Sequence, residues 1–128
     1  MAQLRGIDAK RRTLTGDGGI LSAEKVGKVL TITRQAVEKR RKTGRLIGVS
    51  LGSRGFGYPA WQFSERGTVA GLEPVLDVLK QHDDWTKLVF FTSENAATGG
   101  KRPIDVLRSG DVEAVSAAAR TYGEQGAL

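Results

Sequence analysis

The chain has 128 residues, of which 39% are hydrophobic and 27% are charged, which suits one globular domain or two small ones that share a core. Because it contains no cysteine and a single histidine, His82, the composition excludes disulfide bonds, thiol nucleophiles and zinc sites built from cysteines or several histidines. No apolar run approaches the roughly 20 residues of a membrane-spanning helix, and residues 1–17 lack the apolar stretch of a signal peptide. We therefore expect a cytoplasmic protein with no membrane partner.

The basic residues are concentrated in the first half of the chain. Residues 1–66 hold 14 Lys or Arg and 5 Asp or Glu, a net charge of +9. Residues 67–128 hold 6 Lys or Arg and 9 Asp or Glu, a net charge of −3. Halves of opposite charge indicate two surfaces with different partners, and a polyanion is the natural partner of the first. The alternative is a basic solvated surface that has no partner.

Two short helices are predicted near the start of the basic half. Ser22 is suited to cap the first helix, since its hydroxyl can accept a free backbone N–H. Residues 31–33 are all β-branched, which favours a tight turn, and Thr33 can cap a second helix over residues 34–43 that Gly44 ends. Two short helices about such a turn form the helix-turn-helix arrangement. The apolar positions of the first helix are Ala23, Val26, Val29 and Leu30.

The second helix has the amphipathic pattern of a recognition helix. Ala36 and Val37 should face the first helix, which leaves the polar positions facing outward. Arg34 and Gln35 near its start can make bidentate contacts to guanine and adenine edges, and the later cations can neutralise phosphates. The alternative is an amphipathic helix whose basic face only keeps the chain soluble. The predicted DNA-binding residues are Thr33, Arg34, Gln35, Glu38, Lys39, Arg41, Lys42 and, from the segment that follows, Arg54.

After Gly44 the hydrophobic pattern changes to strict alternation, which predicts a strand over residues 46–51. Residues 52–55 form a turn by composition. Residues 56–63 return as a second strand, which Pro59 confines to an edge or ends early. The predicted inward face of the first strand consists of Ile47, Val49 and Leu51.

A hairpin after a recognition helix is typical of a wing. Arg54 lies at its predicted tip, within reach of a phosphate or the minor groove, although such tip residues are often merely solvated. Trp61 and Phe63 are predicted core residues rather than platforms for bases. A winged unit of about 46 residues is only marginally stable by itself, so it should pack against the second half or against another copy of the chain. Because helix-turn-helix proteins usually read two half-sites, we expect a homodimer.

The second half is predicted to be a compact helical module. Residues 72–79 carry apolar side chains at helical spacing, and Asp84 is predicted to cap the next helix, whose end at Phe90 and Phe91 should be buried. Pro103 suits the first position of a further helix. Asp111 is predicted to cap the last helix, whose apolar face consists of Val112, Val115, Ala118, Ala119 and Tyr122.

No group of residues in the second half suggests catalysis. Its acidic residues lie at or near predicted helix starts, where a structural role is expected, and His82 lies at a predicted helix end. The short run over residues 99–101 lacks the strand and the remaining positions of a phosphate-binding loop. We therefore predict no catalytic residue, metal site or cofactor, and a protein that is not an enzyme.

Several common motifs of the second half occur in an uncommon order. Trp85 is followed by an asparagine-containing loop over residues 93–102, then by a Pro-x-Asp-x-Leu motif over residues 103–107, and then by Gly110 and a valine-containing helix. In this order they resemble the toxin-binding domain of the Xre/MbcA/ParS antitoxins. The first half departs from that family, because its wing is closer to a MerR- or excisionase-like DNA reader than to an all-helical Xre repressor.

The resemblance implies a function and a partner. Members of the family carry an N-terminal helix-turn-helix and pair with a RES-type toxin, which consumes or transfers from NAD. By resemblance, this chain would neutralise such a toxin through its helical half and repress its own operon by binding double-stranded operator DNA. The toxin-binding residues that the resemblance implies are Asn95, Arg102, Tyr122, Glu124 and Gln125.

The predicted architecture is mainly α with a small β-hairpin. Residues 1–18 form an arm that is a candidate for disorder, residues 19–66 a winged helix-turn-helix DNA-binding domain, and residues 67–128 a helical toxin-binding or dimerisation domain. The alternative function is a stand-alone DNA-binding transcriptional regulator or a recombination directionality factor whose helical half only dimerises. An adjacent toxin gene would favour the antitoxin, and an adjacent integrase gene or metabolic operon the alternative.

Overall fold

The computed structural model describes residues 18–126, with side chains described as far as Tyr122. Of the predicted arm over residues 1–18, all but Gly18 lies outside the described residues, as do the side chains of Glu124 and Gln125. The described part of the chain forms six α-helices and five short strands, which confirms a mainly α fold with a small β component. No helix in this part has the length and apolar character needed to cross a lipid bilayer.

The helix-turn-helix lies where the sequence predicts it. The Ser22 hydroxyl accepts a hydrogen bond from the backbone N–H of Lys25 at 3.1 Å, and the Thr33 hydroxyl accepts one from Ala36 at 3.0 Å. Both predicted caps are thus confirmed, and each satisfies a backbone donor that the first helical turn leaves free. The elements of this part are β1 (Ile20–Leu21), α1 (Ala23–Leu30) and α2 (Arg34–Lys42).

Gly27 and Thr31 determine the geometry of the turn between α1 and α2. The backbone of Thr31 lies in the left-handed region, with φ of 56°. Among the described residues, every other residue with positive φ is a glycine. An ideal Cβ on Gly27 would lie 2.8 Å from the carbonyl oxygen of Ile32, so a side chain there would collide with the backbone of the turn. Glycine at residue 27 therefore lets the turn fold back closely onto α1, while a β-branched residue bears the strained conformation.

The wing is a three-stranded antiparallel sheet rather than the predicted two-stranded hairpin. Its strand order is β1-β3-β2, where β2 is Val49–Ser50 and β3 is Phe56–Pro59. The prediction missed β1, which pairs Ile20 with Pro59. The predicted strand over residues 46–51 is reduced to two residues, and the return strand ends at Pro59, where the chain enters the short 3₁₀ turn Ala60–Gln62.

The chain then forms a second small sheet and enters the helical half. The predicted cap at Asp111 and the predicted start of a helix at Pro103 are confirmed. Asp83 rather than Asp84 caps the earlier helix over residues 84–92, because residue 83 keeps an extended backbone and its carboxylate accepts the backbone N–H of Thr86 at 2.7 Å. The elements are β4 (Phe63–Ser64), β5 (Gly67–Thr68), α3 (Leu72–Val78), α4 (Asp84–Thr92), α5 (Pro103–Arg108) and α6 (Val112–Gly126).

The buried apolar residues form two clusters of unequal size. The smaller cluster contains Val26, Val37, Leu46 and Tyr58, which hold α1, α2 and the wing together. Val29, predicted to share this face, is 43% exposed because the contact face of α1 is narrower than the predicted stripe. The larger cluster contains most apolar residues of the helical half, and three residues of the first half belong to it, namely Ile47, Val49 and Trp61.

The turn Ala60–Gln62 connects the wing to the helical half. Gln62 is fully buried, and its amide accepts the N–H of Ile47 at 2.9 Å and donates to the Ile47 carbonyl at 2.8 Å. The Trp61 ring packs against Phe91 at 5.4 Å between centroids, and Arg108 donates to the Trp61 carbonyl at 2.8 Å. The winged unit is therefore completed by the helical half of the same chain.

The strained turn leads to a test of stability. Thr31→Gly should raise the free energy of unfolding by about 1 kcal/mol, because glycine adopts the left-handed conformation without a Cβ penalty. Thr43→Gly is the matched control, since Thr43 has an ordinary φ of −92° and its hydroxyl donates to the Lys39 carbonyl at 2.9 Å. Urea denaturation should show the first variant stabilised and the second not. A destabilised Thr31→Gly variant would show that the threonine is not strained.

Candidate nucleic-acid interface

One stripe of α2 is exposed to solvent. Gln35, Lys39 and Lys42 occupy positions i, i+4 and i+7 of the helix, and all three side chains face solvent. On another side of the helix, Val37 is completely buried in the smaller apolar cluster. The helix is therefore held by one face and presents an amide and two cations on another.

A second stripe of α2 faces the wing. It comprises Arg34, Glu38 and Arg41, again at positions i, i+4 and i+7. The Nε of Arg34 lies 3.6 Å from a carboxylate oxygen of Glu38, an ion pair at the exposed edge of the helix. Arg34 and Glu38 were predicted to face outward with Gln35; Arg34 is exposed as predicted, and Glu38 is half-buried on the side of the wing.

Arg41 connects α2 to the wing. Its guanidinium carbon lies 3.6 Å from the centroid of the Phe56 ring, a cation–π geometry. An ideal Cβ on Gly48 would lie 2.6 Å from Cδ of Arg41 and 2.9 Å from Cε2 of Tyr58, so the absent side chain at residue 48 makes room for both. Arg41 was predicted to contact a phosphate, and that role stays a prediction, but its guanidinium already has a partner within the fold.

The Tyr58 hydroxyl lies beneath this contact. Burial raises the pKa of Tyr58, and the neighbouring Arg41 guanidinium opposes that shift. Among the described residues, no group has hydrogen-bond geometry to the buried Tyr58 hydroxyl or to the buried Nε of Arg41. The contact between α2 and the wing is therefore mainly one of packing and cation–π attraction.

The start of α2 and the tip of the wing share one groove. Its volume is about 180 Å³, and both Arg34 and Arg54 line it together with the capped start of α1 at Ser22. Arg54 ends the short turn Gly52–Arg54 and is exposed, as predicted for a wing tip. Two of the predicted DNA-binding arginines, one from each element, thus lie at the same groove. Thr33 is exposed at the start of α2, where its hydroxyl already serves as the helix cap.

The predicted toxin-binding residues with described side chains have contacts within the fold. The Asn95 carboxamide accepts the N–H of Ala97 at 2.8 Å. Arg102 and Asp105 form two hydrogen bonds, at 2.8 and 3.0 Å, and the hydrogen bond to Arg102 lowers the pKa of Asp105. Tyr122 is half-buried with its ring 5.0 Å from that of Phe90, and burial raises the pKa of its hydroxyl. Their role in binding a toxin stays a prediction.

A second groove lies on the helical half, within the stretch that carries the antitoxin resemblance. It has a volume of about 460 Å³ and is lined by residues of the loop before α5, of α5 itself and of the start of α6. Among these are Ala97, Lys101 and Asp105. The described residues include no cluster of three or more His, Cys, Asp or Glu side chains that could hold a metal ion.

Several residues that shape these surfaces were missed by the sequence analysis. Phe56 is 39% exposed and supports Arg41, but an aromatic residue in a predicted strand gives no sign of such a partner. Lys87 is almost completely buried in α4, and the feature of the sequence that could have indicated this burial is its place directly before an apolar run. Gln62 gave no local signal, because its partner Ile47 lies 15 residues earlier in the chain.

The contact between Arg41 and Phe56 can be tested through stability. Arg41→Ala should lower the free energy of unfolding by about 1–2 kcal/mol, because it removes both the cation–π contact and the packing of the side chain over Gly48. Lys42→Ala is the matched control, since it removes one charge from the same helical turn at an exposed position and should change stability by less than about 0.5 kcal/mol. Equal effects of the two substitutions in urea denaturation would contradict the anchoring role of Arg41.

Comparison with known proteins identifies a fold but no family. No protein-family model matches the chain, and no curated protein matches it. A solved structure described as "NMR structure of Rv2175c" is similar, with a TM-score of 0.71 and 19% sequence identity, over 85% of this chain and 84% of that one. At this identity the similarity extends to the fold alone. The chain thus shares with that protein a mainly α architecture that includes a small antiparallel sheet.

Proposed function

We propose that this chain binds double-stranded DNA, with α2 in the major groove and the wing against the adjacent backbone. The observation that carries the proposal is the division of α2 into distinct faces. One face is buried at Val37, one is anchored to the wing at Arg41, and one is free at Gln35, Lys39 and Lys42. A recognition helix needs a free polar stripe and firm support on its other sides, because its side chains must reach base edges while the helix keeps its position.

The proposed roles of these residues follow from their place along α2. Arg34 and Gln35 lie in the first turn, where they can form bidentate hydrogen bonds with guanine and adenine respectively. Lys39 and Lys42 lie farther along the exposed stripe and would contact phosphates, which position the protein without reading sequence. The Glu38 carboxylate lies 3.6 Å from the Nε of Arg34, and it is itself an acceptor that suits the amino group of cytosine.

The wing would provide a second contact to the backbone. Arg54 and Arg34 line one groove, so a phosphate of a DNA strand that borders the major groove could contact the wing tip beside the start of α2. The net charge of +9 over residues 1–66 also supports a polyanionic partner. Two copies that read two half-sites would form a homodimer.

We further propose a narrower function, that of an antitoxin that neutralises a RES-type toxin and represses its own operon. The motif order described above supports it, and so does the groove of about 460 Å³ that the same stretch lines, since a groove of this kind can accept a segment of another protein. A stand-alone transcriptional regulator or a recombination directionality factor is the alternative. The DNA-binding surface is the same in both cases.

The DNA-binding proposal predicts different effects for base-reading and phosphate-contacting residues. Arg34→Ala should cost about 1–3 kcal/mol of affinity for a selected operator sequence, with a smaller effect on mixed-sequence duplex. Lys39→Gln should weaken binding to both and reduce the slope of log K against log salt concentration by about 0.9. Arg66→Ala, at an exposed residue of the tight turn before β5, is the control. Fluorescence anisotropy over a salt series measures all three, and wild-type affinity in the first two variants would contradict the proposal.

The narrower proposal predicts a stable complex with the product of an adjacent gene. The tagged full chain should co-purify with a RES-type toxin and abolish its NAD-consuming activity. Ala97→Arg, which adds a bulky charge to the groove of the helical half, should reduce this inhibition while DNA binding is retained. Ala117→Arg makes the same change at an exposed position of α6 and is the control. DNA binding without any partner would favour the stand-alone regulator.

A further inference from the structure

A cleft of about 350 Å³ lies where the end of α2 meets the turn between α3 and α4. Its walls come from both halves of the chain. Lys42 of α2 lines one side, and Lys80 and Lys87 of the helical half line the other, together with Asp83 and Asp84. Neither the sequence analysis nor the proposed DNA-binding surface assigned a role to Lys80 or Lys87.

Lys87 is the most unusual residue of this cleft. It is 6% exposed, although it carries an ammonium group, and it is absent from the ion pairs found among the described residues. Withdrawing a charge from water is unfavourable unless an opposite charge compensates for it. The Asp83 and Asp84 carboxylates near Lys87 supply part of that compensation, and an anion that enters the open cleft from solvent would add to it.

The two acidic residues compensate for the lysines only in part. The side chain and the backbone N–H of Thr86 donate to the Asp83 carboxylate, hydrogen bonds that lower the pKa of Asp83, and nearby Lys87 lowers it further. Asp84 lies near Lys87, but burial raises the pKa of its carboxyl group, with Lys87 and then Arg41 opposing that shift. The cations of the cleft, Lys42, Lys80, Lys87 and Arg41, thus outnumber its acidic residues. The positive end of the α4 dipole points toward the same place.

Lys42 joins this cleft to the DNA-binding surface. It belongs to the exposed stripe of α2 that also contains Gln35 and Lys39, and it lines the cleft as well. The end of a recognition helix commonly lies beside the DNA backbone, because the helix crosses the groove at an angle. A phosphate that contacts Lys42 would therefore lie at the mouth of the cleft.

We propose that this cleft holds a backbone phosphate of the bound DNA, so that the helical half takes part in DNA binding through Lys80 and Lys87. This inference rests on the proposed function. The inference adds to the proposed function a DNA contact made by the half of the chain that has a net charge of −3. The helical half would thus complete the core of the winged unit and also extend the contact between this unit and the DNA backbone.

The test compares two lysine substitutions in the helical half of the full chain. Lys80→Gln removes an exposed charge from the cleft, whereas Lys101→Gln removes an exposed charge at the other groove. Binding to a mixed-sequence duplex is measured over a salt series. Lys80→Gln should weaken binding several-fold and reduce the salt slope by about 0.9, and Lys101→Gln should leave both unchanged. Lys87→Met, which keeps an apolar stem, should act like Lys80→Gln, with thermal unfolding as a check on its fold.

The possible outcomes separate this inference from the proposed function. If the wild-type chain binds the duplex but Lys80→Gln has the same affinity and salt slope as wild type, the inference is overturned and the DNA-binding proposal remains. If the wild-type chain does not bind the duplex, the proposed function fails and the inference fails with it. Equal losses in Lys80→Gln and Lys101→Gln would indicate a general charge effect, which would also overturn the proposed phosphate site.

Discussion

The buried turn at Trp61 and Gln62 is the contact on which the rest of the architecture depends. The cluster that joins α1, α2 and the wing contains four buried apolar residues, which is little for a unit that has no cysteine for disulfide bonds. Trp61 brings the wing into the larger cluster of the helical half, and Gln62 holds the segment after α2 with two buried hydrogen bonds at Ile47. Removing either side chain would weaken the connection between the segment after α2 and the larger cluster.

This arrangement gives α2 a fixed position without covering its exposed stripe. Val37 packs α2 against the smaller cluster, and Arg41 contacts the Phe56 ring of the wing. The tight turn at Gly27 and Thr31 fixes the start of the helix. The polar side chains that remain free are therefore presented by a rigid helix, which is the condition for reading base edges at defined positions. In the proposed function, the helical half both supports this surface and borders it at the cleft next to Lys42.

The features that the sequence predicts correctly are those decided by local chemistry. The caps at Ser22, Thr33 and Asp111 follow from side chains that accept a nearby backbone N–H, and the helix start at Pro103 follows from its fixed φ. Adjacent candidates are harder to separate: both Asp83 and Asp84 can cap a helix, and only the backbone conformation distinguishes them.

The features that the sequence misses depend on residues far apart in the chain. The strand β1 needs β3 as its partner, and the burial of Gln62 needs Ile47. The position of Arg41 illustrates the same limit for the candidate site. Its charge and its place in α2 predicted a phosphate contact, but the ring of Phe56 and the missing side chain of Gly48 together give it a partner inside the fold.

In the proposed function, the exposed stripe of α2 and the tip of the wing form a DNA-binding surface supported by the helical half. The most direct measurement is amide chemical-shift mapping of the ¹⁵N-labelled full chain during titration with a mixed-sequence duplex. We expect the perturbed amides to cluster at Gln35, Lys39, Lys42 and residues 52–55. Perturbation confined to residues 93–122, or no perturbation at duplex concentrations that saturate known DNA-binding domains, would contradict it.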